Sequence, residues 1–108
     1  VKNEDGPQNF KSHAQSADKF WQLIESGTEY RNRAKYEQAL EKFQEAYDVY
    51  AVGNIEKPIA LVHAAETHEL MHQYEKASIL FEEASQITMH ETNKKKYMTK
   101  ALALRQKF

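Results

Sequence analysis

The sequence predicts an all-α protein, built as antiparallel helical hairpins stacked into a short α-solenoid of about five helices. Turn-forming residues are scarce: 3 Gly and 2 Pro in 108 residues are too few for the many tight turns of an all-β fold. Apolar residues recur at the helical period instead of alternating. A segment also repeats at an offset of 38 positions, laying Tyr36 to Ala46 on Tyr74 to Ala84 with six identities in eleven. A chain of this length, 41% hydrophobic and 29% charged, holds one core and has no room for separate cofactor and substrate domains.

Residues 1–16 mix Gly6, Pro7, Asn and charges around a lone Phe10 and read as a flexible N-terminal arm preceding a domain over 17–108. The spacing of Phe20, Leu23, Ile24, Gly27 and Tyr30 predicts a helix over 17–33. Tyr36, Ala39, Phe43 and Ala46 fall at i, i+3, i+7 and i+10, one stripe of a helix over 36–52. Alanines on that stripe let a neighbouring helix approach closely, and the phenylalanine fills the space alongside. Gly53-Asn54-Ile55-Glu56 makes a connection, and Pro58 suits the first turn of a helix over 57–71, where a missing N–H costs nothing. That helix carries Ile59, Leu61, Val62, Ala65 and His68; the next, over 74–89, repeats the stripe as Tyr74, Ala77, Phe81 and Ala84. A terminal helix over 92–107 places Tyr97, Ala101, Leu104 and Phe108 on one strip and Met98 and Leu102 on another. The first strip caps the stack. The second is left for another protomer, a further repeat or a partner.

These residues resemble the tetratricopeptide repeat (TPR) family. Leu23, Gly27, Tyr30, Tyr36, Ala39, Phe43 and Ala46 follow that family's signature order and spacing, and Leu61, Ala65, His68, Tyr74, Ala77, Phe81 and Ala84 repeat it with two substitutions. The resemblance covers two units, 20–53 and 58–91, plus the terminal helix. It departs from the family in its 38-residue spacing, which makes either the second helix of the first unit or the connection after it one turn longer. Ala51 and Met89 stand where the family usually has proline, and His68 where it has tyrosine.

Charge is uneven about a net of -1. Glu37 to His90 holds ten acids against Lys42, Lys57 and Lys76, whereas Glu91 to Phe108 holds one acid against Lys94, Lys95, Lys96, Lys100, Arg105 and Lys107. Such a run reads as a solvated face, favoured near a helix C-terminus. A pI near 6.6 argues against a dedicated nucleic-acid binder. With no cysteine there is neither a disulfide framework nor a thiol nucleophile. No stretch approaches the roughly 18 apolar residues of a membrane span, and the expected location is the cytoplasm. The chain begins at Val1 without Met or an apolar leader, as a processed or excised chain would.

The sharpest chemical motif is His68-Glu69-Leu70-Met71-His72. On a continuous helix this H-E-x-x-H spacing sets two imidazoles one turn apart for zinc, with the glutamate as general base, and it carries the alternative reading of a zinc-dependent metallopeptidase. Glu75 and Ser78 stand where the extended pattern needs glycine and a third histidine; Glu91 could serve as a third ligand. No strand-like segment is present to hold a substrate. His68 also falls on the interhelical position of the repeat, where it reads as a packed aromatic. The favoured reading has no catalysis, metal or cofactor.

The family resemblance instead implies a concave groove lined by the first helix of each unit. Trp21, Ile24, Thr28, Arg31 and Asn32 come from the first helix, Ile59, Val62, Glu66 and Glu69 from the third, and Tyr97, Lys100 and Leu104 from the last. Where chaperone-tail-binding members carry a clamp for a terminal carboxylate, this chain has Ile24, Thr28, Val62 and His63, so the clamp is missing. The expected function is that of an adaptor or scaffold binding an apolar or amphipathic peptide or helix, with basic ligand residues meeting Glu66 and Glu69. A secretion-type or regulatory chaperone would use the same groove. The competing occupants are the arm, through Phe10, and a second copy of the chain as a homo-oligomer.

Overall fold

The computed structural model describes the backbone of residues 2–51 and 53–108 and the side chains of residues 15–51 and 53–108. Five helices follow one another: α1 (Lys2–Asn32), α2 (Tyr36–Val49), α3 (Lys57–Leu70), α4 (Tyr74–Ile87) and α5 (Glu91–Leu104), closed by a 3-10 turn at Arg105–Lys107. Each helix packs on the next, and α1 also reaches α3. The architecture is therefore all-α, a stack of helical hairpins. Among the described residues no helix is long and apolar enough to cross a membrane.

The helix ends depart from the pattern at several points. Backbone helix begins at Lys2, within the segment read as an arm; a packed helix can extend without a new nucleation cost. Whether Phe10 reaches the groove lies outside the described side chains. α2 stops at Val49, because Tyr50 turns extended (φ -109, ψ 148), and α4 stops at Ile87 for the same reason at Thr88 (φ -71, ψ 144). Both helices have 14 residues. The extra turn of the first unit thus lies in the connection, 50–56 against 88–90.

The hairpin turns repeat bond for bond. In the first, the Arg33 and Lys35 amides donate to the Tyr30 carbonyl (3.1 and 2.9 Å) and the Ala34 amide to Arg31 (2.9 Å); in the second, Met71 and Gln73 donate to His68 (3.0 and 2.9 Å) and His72 to Glu69 (3.0 Å). Ala34 (φ 60) and His72 (φ 62) both adopt the left-handed conformation that ends a helix, a role glycine usually takes. The 38-residue repeat read in the side chains is thus also a repeat of backbone geometry.

Two clusters form the core. Phe20, Ile24, Ala39, Phe43, Ala46 and Ala60 make the first. Ala65, Ala77, Phe81, Ala101 and Leu104 make the second. Small residues set how closely the helices approach. A Cβ at Gly27 would stand 2.5 Å from the Phe43 ring. That ring cannot retreat freely, because His63 stacks on it (centroids 5.2 Å) and the Arg31 guanidinium lies 5.5 Å from its centroid. Phe108 is 62% exposed, beyond the 3-10 turn, and does not join the capping strip that Ala101 and Leu104 form.

Lys57 is the residue the pattern did not single out. It is 6% exposed, and its Nζ donates to the Tyr47 and Tyr50 carbonyls (2.8 and 2.7 Å) while lying 3.7 Å from the Tyr47 ring centroid. A cation thereby satisfies two carbonyls at the C-terminus of α2 and favours that end of the helix dipole. Asn54 Oδ1 accepts from the Glu56 amide (2.7 Å), turning the chain into α3 so that Lys57 reaches back.

Three stability outcomes follow from this packing. Gly27→Ala forces the added methyl into Phe43 and should cost about 1–3 kcal/mol in urea unfolding, whereas Ala34→Gly relieves the left-handed strain and should gain about 1 kcal/mol. Lys57→Met removes both charged hydrogen bonds and should cost about 2–3 kcal/mol.

Candidate functional site

The face shared by α1, α3 and α5 carries most of the residues expected to line a groove. Ile24 is a correction: only 6% exposed, it belongs to the first core cluster, because α1 packs against both α2 and α3 and covers that position. Leu104, 2% exposed, is likewise core, held between α5 and α4. Thr28 spends its hydroxyl proton on the Ile24 carbonyl (2.8 Å) within its own helix. Trp21 is 46% exposed, edge-on to Phe20 with centroids 5.1 Å apart. Asn32 is exposed, while Ile59 is half-buried on the first cluster.

Val62 and Tyr97 do come together. With Phe81 beneath them they line a cavity of about 380 Å³ between α3 and α5, edged by Glu66, Lys96, Thr99, Lys100 and Ala103. A second cavity, of about 620 Å³, shares Glu66 with it and is bounded by Arg31, Glu69, Leu70, His72, Tyr74 and Lys107. The two open along one face. Burial, and then the Glu66 carboxylate, raise the Tyr97 phenol above its ordinary pKa, so Tyr97 stays neutral.

The charged residues of this face are largely paired with one another. Arg31 Nη1 lies 3.5 Å from Glu66 Oε1 and donates to His63 Nδ1 (3.3 Å) and to the His63 carbonyl (3.4 Å). Lys100 Nζ pairs with Glu69 Oε2 at 3.3 Å. Partly exposed pairs of this kind add about 0.2–1 kcal/mol at most. Their larger consequence is to neutralise Glu66 and Glu69, the two carboxylates expected to meet basic ligand residues. Arg105 pairs with Glu82 and so holds the end of α5 on α4.

His63 was noted in the sequence only as an occupant of a missing clamp. Burial, and secondarily Arg31, lower its pKa from 6.5 to about 4. Since a guanidinium only donates, Nδ1 must accept, which puts the proton of the neutral ring on Nε2. The residues that pattern reading missed are His63, Phe81, Leu70, His72, Tyr74, Lys96 and Lys107. The lysines had a legible signal, since Lys96, Lys100 and Lys107 recur at i, i+4 and i+11 on one face.

The His68-to-His72 motif does not form the arrangement a continuous helix would give. α3 ends at Leu70, Met71 caps it, and His72 turns to φ 62. His68 Nδ1 lies 2.6 Å from Gln73 Oε1 and closes the hairpin turn, while His72 Nδ1 lies 2.7 Å from the Tyr74 hydroxyl. Among the described residues no three His, Cys, Asp or Glu side chains are grouped so as to hold a metal ion.

No protein-family profile matches the chain, and comparisons with curated proteins and with solved structures find no match.

The His63 environment sets a pH dependence. Between about pH 6.5 and 4 the unfolded chain binds a proton that the folded one refuses, so stability is full above this window and falls as pH drops through it. His63→Phe, which keeps a ring against Phe43, should lose less stability than wild type over the same window in urea titrations. Equal slopes in the two proteins would assign the titration to other groups.

Proposed function

We propose that the chain is a protein-interaction module of the tetratricopeptide type, an adaptor without catalysis of its own, which binds an amphipathic helix along the face of α1, α3 and α5. The observation that carries this reading is the apolar cavity of Val62, Phe81 and Tyr97, open beside a wider cavity on the same face. At about 380 Å³ it lies within the range of small ligand sites, roughly 300–1,000 Å³, and suits one or two bulky side chains from a helical ligand. The repeat of the two hairpin turns supports the resemblance to the family. The pairing of Arg31 with Glu66 and of Lys100 with Glu69 fits recognition better than proton transfer, since both carboxylates of the face already have a counter-ion.

Selection from a displayed library of helical peptides tests the proposal. Selected peptides should lose at least tenfold in affinity for a Val62→Asp variant whose helicity is unchanged by circular dichroism, and should keep it for Leu102→Asp on the far strip of α5. A selection that yields no peptide, or peptides indifferent to Val62→Asp and Tyr97→Ala, overturns the proposal.

A further inference from the structure

The charge left over on the groove identifies its partner more narrowly. Four cations line the two cavities, Arg31, Lys96, Lys100 and Lys107, against two carboxylates, Glu66 and Glu69. Both carboxylates are already taken, Glu66 by Arg31 at 3.5 Å and Glu69 by Lys100 at 3.3 Å. Among the described residues Lys96 and Lys107 have no carboxylate partner. Lys107 Nζ lies instead 5.2 Å from the Tyr74 ring centroid, which holds it over the wider cavity. Each cavity therefore has an apolar wall and one cation without a counter-ion. The face is positive within a chain whose net charge is -1, so its field differs in sign from that of the molecule as a whole.

We infer that the ligand of this groove is an acidic amphipathic helix, with a bulky apolar side chain in the Val62, Phe81 and Tyr97 cavity and carboxylates that meet Lys96 and Lys107. This inference rests on the groove reading above and reverses the ligand charge that Glu66 and Glu69 suggest by position alone. A basic ligand would have to displace Arg31 or Lys100 from its partner, whereas an acidic one adds counter-charge without breaking a pair. Eleven positions separate Lys96 on α5 from Lys107 at the end of the 3-10 turn that continues it, roughly 17 Å along the axis at the α-helical rise. A ligand helix that meets both therefore carries its acids about three turns apart.

The test uses the same helical-peptide library with the positions flanking the apolar stripe randomised. Peptides whose binding depends on Val62 should be enriched in Asp and Glu at those flanks. The best of them, made synthetically, should bind at least tenfold tighter than its Lys-substituted counterpart in fluorescence anisotropy at low salt, and the gap should narrow as ionic strength rises. A Lys96→Glu, Lys107→Glu double variant, both positions being exposed, should reverse the order of the two peptides. Val62-dependent peptides with neutral or basic flanks, or an order unchanged by the double variant, overturn the inference and leave the groove reading standing. Absence of any Val62-dependent peptide removes both. Sedimentation of the unliganded protein completes the test: a dimer that Val62→Asp dissociates would assign the face to a second copy and overturn the inference.

Discussion

The Phe43 ring is the constraint on which the rest of the molecule depends. It presses against Gly27, where there is no room for a Cβ, and so fixes how closely α1 and α2 approach. It also carries the His63 ring and the Arg31 guanidinium, so the same side chain that closes the first hairpin also holds a charged cluster of the candidate groove. Core packing and the charged cluster of the candidate groove therefore share one residue. Arg31 reaches Glu66 and the His63 imidazole from beside an aromatic stack whose Phe43 ring lies where a Cβ at position 27 would stand. Interiors transmit such displacements because they are close-packed and cannot absorb even a methyl group silently.

The second unit solves the same problem with different residues. Ala65, fully buried, stands where Gly27 stands in the first unit, and Phe81 stands where Phe43 stands. Phe81 also forms the floor beneath Val62 and Tyr97. One unit thus uses its phenylalanine to anchor charge and the other to floor an apolar cavity. The asymmetry gives the face distinct polar and apolar stretches, although both come from one repeated pattern.

Much of the fold was legible in the sequence because a helical hairpin writes itself in side-chain period. The stripe of Tyr, Ala, Phe and Ala located α2 and α4, and Pro58 located the start of α3. What could not be read was decided by contacts between distant backbone groups and side chains. Lys57 looks like any surface lysine in the sequence, and only the path through Asn54 brings its ammonium onto the carbonyls of Tyr47 and Tyr50. The H-E-x-x-H spacing, read in the sequence as packed histidines in preference to a zinc site, shows the same limit of spacing alone, since the helix ends inside the motif and the left-handed turn at His72 separates what the spacing aligns. Within the candidate site Val62, Tyr97 and Lys100 were found by position on a helix. Ile24 was misplaced because its cover comes from two helices at once. Lys96 and Lys107 were passed over because their importance arises from Glu66 and Glu69 being neutralised elsewhere, a fact about pairs and not about single positions.

The division of the core into two clusters bears on how the chain comes apart. α3 contributes Ala60 to one cluster and Ala65 to the other, so it joins the two. α5 leans on α4 alone for its main packing, through Ala101 and Leu104. In a linear array of this kind a terminal element with one neighbour opens more readily than an interior one, and sub-global unfolding begins there. The wall of the groove that holds Tyr97 and Lys100 is accordingly the least protected part of the second cluster. Occupancy of the face would raise the protection of α5 amides before it altered those of α2, making the groove a lock on the end of the stack.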